Sequence, residues 1–82
     1  MCRVLVNNIE EGLIPSERVV QIPSAGGGFE ELSLSARQVF NNVSIAAREI
    51  SRQGDKVLVE LPRETASGRW RMWVPQANIE GV

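Results

Sequence analysis

The sequence predicts a small, mainly β domain of five or six short antiparallel strands. Three observations carry that expectation. The apolar runs are short, and turn chemistry closes each of them. The runs at 29–34, 57–61 and 69–74 alternate apolar and polar positions, the period of a half-buried strand. Glycine and proline fall between the runs rather than inside them.

With 82 residues there is room for one domain, residues 1–82, and one core. About 43% of residues are apolar and 23% charged, which is ordinary globular composition. Cys2 is the only cysteine, so no disulfide forms within the chain, and the simplest setting is a reducing one, the cytoplasm. No apolar run reaches the ~18 residues that a transmembrane helix needs, and Met1-Cys2-Arg3 does not lead into a signal-peptide hydrophobic region. A soluble cytoplasmic protein is expected.

Arg3–Asn7 reads as the first strand and Asn8–Ser16 as a connection punctuated by Gly12 and Pro15. Arg18–Ile22 is β-branched and stops at Pro23. Gly26-Gly27-Gly28 forms the clearest turn, and Leu32 and Leu34 resume a strand after it, so residues 18–34 read as a hairpin. A phosphate cradle would need a helix N-terminus directly after the glycines, and none is present. The run is read as a turn and nothing more, replaceable by another hairpin loop.

Residues 36–53 admit two readings. On a helical wheel, Ala36, Val39, Phe40, Val43, Ala46, Ala47 and Ile50 share an arc of about 120°. Ser35 with Gln38 makes a capping box, and Gly54 stands where a helix would end. The alternative fold is therefore α+β, with one helix at 36–53 packed on an antiparallel sheet. Against it, Val39–Ile45 are consecutive poor helix formers and together cost roughly 3–4 kcal/mol of propensity. Asn41-Asn42 tolerates left-handed backbone and suits a two-residue turn. The strand reading is preferred, and it asks for a bulge at Ile45-Ala46-Ala47.

The last hairpin is the firmest element. Val57, Val59 and Leu61 face one way, and Trp70, Met72 and Val74 form the matching wall. Trp70→Ala is expected to cost roughly 3–5 kcal/mol. Pro75 ends the strand.

From Gly68 to Glu80 the chain reads Gly-Arg-Trp-Arg-Met-Trp-Val-Pro-Gln-Ala-Asn-Ile-Glu. This resembles the end of SH3-like small barrels, in which a strand runs into Val-Pro, a single tight helical turn and one more apolar residue, here Ile79. The resemblance implies the barrel architecture. It does not carry over a proline-peptide groove, because the chain has no tyrosine and no aromatic-rich first strand.

Chemistry is harder to find. Histidine is absent, which removes the commonest general base and metal ligand. One cysteine without histidine excludes an ordinary zinc site. No catalytic residue, metal or cofactor is expected, and no small-molecule ligand is indicated. Glu10-Glu11 and Glu30-Glu31 fall in or beside loops, where solvated charge is the default. Glu60, Arg63 and Glu64 are placed to pair with Arg69 and Arg71 across the hairpin, at about 0–1 kcal/mol each. Charge is mildly segregated: residues 1–35 hold two arginines against five glutamates, a net of −3, and residues 36–82 hold seven bases against five acids, a net of +2. That excess is too diffuse for a nucleic-acid footprint.

One surface stands out. Arg69, Arg71 and Trp73 share the hairpin face opposite the core wall, and Trp and Arg are the types enriched at binding hot spots. Trp73 could instead lie under the N-terminal segment or in a second core. The residues name no ligand. The function they favour is a non-enzymatic protein-interaction or assembly module, with a homodimer or protein partner seated on Trp73 and acidic Glu10, Glu11, Glu30 and Glu31 meeting the arginines. The alternative is a single-stranded nucleic-acid binder that stacks bases on Trp73.

Overall fold

Glycine closes the first long hairpin. Gly27 and Gly28 take φ of +98° and +71°, a region open to glycine at little steric cost. The Gly27 N–H donates to the Ser24 carbonyl (3.0 Å), and the Ser24 N–H donates to that of Gly28 (3.1 Å). In the computed structural model, which describes residues 1–80, this turn joins strands Glu17–Pro23 and Phe29–Ser35. They pair without a break from Glu17↔Ser35 to Pro23↔Phe29, as the sequence predicts.

In chain order the strands are β1 (Cys2–Leu5), β2 (Asn7–Glu11), β3 (Glu17–Pro23), β4 (Phe29–Ser35), β5 (Val39–Phe40), β6 (Ser44–Gln53), β7 (Lys56–Glu60), β8 (Arg71–Pro75) and β9 (Ile79–Glu80). One sheet has the order β8-β7-β6-β1-β9, with β5 also on β6, and the second has the order β2-β3-β4. All the pairings are antiparallel. The fold is mainly β, as expected. The first strand is shifted to Cys2–Leu5, and the expected connection at 8–16 contains a strand, β2. That strand was hidden because it is an edge with little to bury. Its residues are exposed except for half-buried Ile9, so it shows no apolar alternation.

The strand reading of 36–53 holds. The capping box forms, with the Gln38 side chain accepting from the Ser35 N–H at 3.0 Å, but the helix it starts is a single 3-10 turn, Ala36–Gln38. Asn41 and Asn42 then take φ of +53° and +58°, and the Val43 N–H donates to the Phe40 carbonyl at 3.0 Å. Two left-handed residues in succession are the hairpin turn that asparagine tolerates. The expected bulge at 45–47 is absent: Cys2↔Ala47, Arg3↔Ala46 and Val4↔Ile45 pair in unbroken register. Ala46 spoils the alternation because it sits on the outer face, in a shallow apolar hollow with Phe40 and Pro62. The shift in register lies instead between Glu49 and Ser51.

Both sheets feed one core. Val4, Ile45, Val57, Val59 and Val74 come from the larger sheet, and Val20, Ile22, Leu32 and Leu34 from the smaller; all are fully buried. Cys2 is buried at the margin, where desolvation, with Glu49 nearby, pushes its thiol pKa up. Among the described residues, no helix is long and apolar enough to cross a membrane.

Trp70 corrects the expected core wall. Val57, Val59, Leu61, Met72 and Val74 are buried, but Trp70 is 54% exposed. Its main chain still pairs, since the Leu61 N–H donates to the Trp70 carbonyl at 2.8 Å. The regular strand begins only at Arg71, and the loop before it leans toward β4, so Trp70 stands beyond the end of the core. Leu32→Ala should therefore cost about 2–5 kcal/mol, and Trp70→Ala only about 1 kcal/mol. Urea denaturation midpoints check this; equal losses would return the indole to the core.

Candidate binding groove

The outer face of the last hairpin is set by its register. Leu58 pairs with Trp73, Glu60 with Arg71 and Lys56 with Pro75. Since side chains alternate between faces, Lys56, Leu58, Glu60, Arg71 and Trp73 share the side away from Val57, Val59, Met72 and Val74. The glycine turn supplies a wall, because the Ala25 N–H donates to the Trp73 carbonyl at 2.9 Å. The result is an open groove of about 540 Å³ lined by the 24–26 turn, Glu30, Lys56, Leu58 and the predicted trio Arg69, Arg71 and Trp73. The structure thus brings all three predicted residues together.

Trp73 is half-buried. The Lys56 ammonium sits 4.9 Å from its ring centroid, a cation–π contact worth about 0.5–1 kcal/mol at an exposed site. Arg71 reaches Glu60 from both Nε and Nη2 at 3.2 Å, the expected cross-hairpin pair, and Arg48 approaches the same carboxylate at 4.0 Å. Arg69 does not pair with Glu64; its Nε lies 3.7 Å from Glu30. Lys56 makes no ion pair among the described residues. The groove therefore presents more positive than negative charge around an aromatic face.

Glu30 is the polar anchor of the site. Its carboxylate accepts from the Thr65 hydroxyl at 2.9 Å and from the Ser67 hydroxyl. Thr65 is buried, and its Oγ1 accepts the Arg69 N–H at 3.1 Å. The Ala66 N–H donates to the Glu31 carbonyl at 2.8 Å. The 61–70 loop is thereby clasped to β4, and Arg69 is carried to the groove rim. The Ser67 hydrogen bond, helped by Thr65 and Arg69, holds the Glu30 carboxyl below the ordinary glutamate range in spite of desolvation.

Sequence reasoning missed Lys56, Leu58, Glu30 and the glycine turn as groove residues. Lys56 and Leu58 were legible, since they alternate with the inward Val57 and Val59. Glu30 and the turn reach the groove only through long-range contacts. The glycine run forms the expected turn, and its leading residues Ser24, Ala25 and Gly26 also line the groove. Among the described residues, no three His, Cys, Asp or Glu side chains stand close enough to hold a metal ion.

Because the Glu30 pKa is lower folded than unfolded, its clasp stabilises the fold above the unfolded value, about 4.3. That stability is lost as pH falls through the folded value. Thermal melts across this acid range should show Glu30→Gln losing less stability on acidification than the wild type; parallel curves would leave the clasp without a role. No family model, curated protein or solved structure matches the chain.

Proposed function

We propose that the chain is a non-enzymatic binding module whose groove takes a protein segment bearing acidic and apolar side chains. The observation that carries this reading is the Lys56 ammonium stacked on the half-buried indole of Trp73 in a groove that Arg69 and Arg71 also line. An aromatic platform beside an unpaired lysine, in a groove whose cations outnumber its carboxylates, suits a ligand that is apolar in the middle and anionic at its edges. The architecture we assign is an SH3-like barrel. Its support is the passage from Pro75 through a 3-10 turn, Gln76–Asn78, to Ile79, which pairs with Val4 on the first strand. The cytoplasm is the compartment we assign, since the single cysteine is free and buried.

The same cations favour a second reading, single-stranded nucleic acid with a base stacked on Trp73. The two readings separate in titrations followed by NMR. A synthetic peptide alternating Glu and Leu should bind, and Lys56→Glu/Arg71→Glu should weaken it at least tenfold. Oligo(dT) should bind more weakly than the peptide. Tighter oligo(dT) binding with a steep loss in added salt would transfer the groove to the second reading, and binding of neither probe would overturn both.

A further inference from the structure

We propose that the segment filling the groove is the tip of the β2–β3 hairpin of a second copy of this chain, an inference that rests on the groove reading above. The tip is Gly12-Leu13-Ile14-Pro15-Ser16, between β2 and β3. Leu13 is 97% exposed and Ile14 is 57% exposed, and adjacent apolar side chains at a loop tip mark a contact surface. The tip is held in shape before any contact forms. The Gly12 N–H donates to the Glu17 carbonyl (2.8 Å) and the Glu17 N–H to that of Ile14 (3.0 Å). The Leu13 N–H donates to the Glu17 carboxylate (2.9 Å), and Arg18 Nη1 donates to the Pro15 carbonyl (2.6 Å). A preorganised loop loses little entropy when it docks.

The charges match. Glu10 and Glu11 precede the tip and make no ion pair among the described residues. Glu30, by contrast, is committed to Arg69, Thr65 and Ser67 of its own chain, so it is not the acid that meets a partner. Two free carboxylates beside two exposed apolar side chains complement an indole that carries the unpaired Lys56, in a groove whose Arg69 and Arg71 are already held by Glu30 and Glu60. The occupant must also come from another molecule. The tip and the 24–28 turn that walls the groove lie at opposite ends of β3, which has 7 residues, a separation of roughly 20–23 Å at about 3.3 Å per residue. Tip and groove are different surfaces, so two copies either pair reciprocally, each tip in the other's groove, or repeat the contact head-to-tail along a chain.

Sedimentation velocity on the full chain tests this. The wild type should self-associate with rising concentration. A tip variant, Glu10→Gln/Glu11→Gln/Leu13→Ser, and a groove variant, Lys56→Glu/Arg71→Glu, should each raise the dissociation constant at least tenfold. Mixed together, the two should form a one-to-one complex that grows no further, because one intact tip meets one intact groove. Leu13→Ser alone, at a site outside the packed structure, should weaken association without altering the far-UV circular dichroism spectrum, which guards against misfolding of the multiple variants. A wild type that stays monomeric into the millimolar range, a tip variant that still associates, or a mixture that stays monomeric would overturn the proposal. If the wild type is monomeric while the Glu-Leu peptide still binds, the groove reading stands and the second-copy inference falls.

Discussion

Everything in this fold depends on one shared row of branched apolar side chains. The single cysteine leaves no cross-link within the chain, so each sheet is held by burying its inner face against the same cluster as the other. Val, Ile and Leu fill that cluster almost alone. The chain's four aromatic residues are all outside it: Phe29 and Trp70 are exposed, and Phe40 and Trp73 are half-buried. A thin β core filled by branched side chains leaves the large rings to the surface, where Arg3 stacks on Phe40 and Lys56 on Trp73.

A second, polar layer of organisation runs along the seam between the sheets. The Ala25–Trp73 and Ala66–Glu31 backbone hydrogen bonds tie the smaller sheet and its turn to the last hairpin and its loop. The Glu30 carboxylate gathers Thr65, Ser67 and Arg69 at the same boundary. These contacts do not enlarge the core. They fix where the 24–28 turn and the 61–70 loop stand, and so give the groove its walls.

What could be read from the sequence followed the range of the cause. The hairpins of β3–β4 and β7–β8 were legible because alternation and turn chemistry are local. The run of poor helix formers from Val39 to Ile45, with Asn41-Asn42 as its turn, favoured two strands over a helix, although a real capping signal at Ser35 and Gln38 argued the other way and was spent on one 3-10 turn. β2 was not legible, because an exposed edge strand has no inward row to reveal it. Trp70 was misplaced for a related reason. Alternation assigns a face, but it does not say where along that face the core ends. In the site, Arg71 and Trp73 followed from the same alternation that left Lys56 and Leu58 unremarked, whereas Arg69 lies ahead of the strand and comes to the rim through the clasped loop. Glu30 reached the groove through partners 35 to 39 positions away, Thr65, Ser67 and Arg69, and no local pattern points so far.

The amine stacked on Trp73 belongs to the only lysine in the chain. A reagent selective for ε-amines therefore has a single side-chain target, and that target reports on the groove. Acylation of Lys56 replaces an ammonium with a neutral amide, removing the cation from the ring and one positive charge from the rim. The rate of that reaction becomes a footprint of whatever occupies the groove, and a fluorophore attached there lies beside an indole that can quench it.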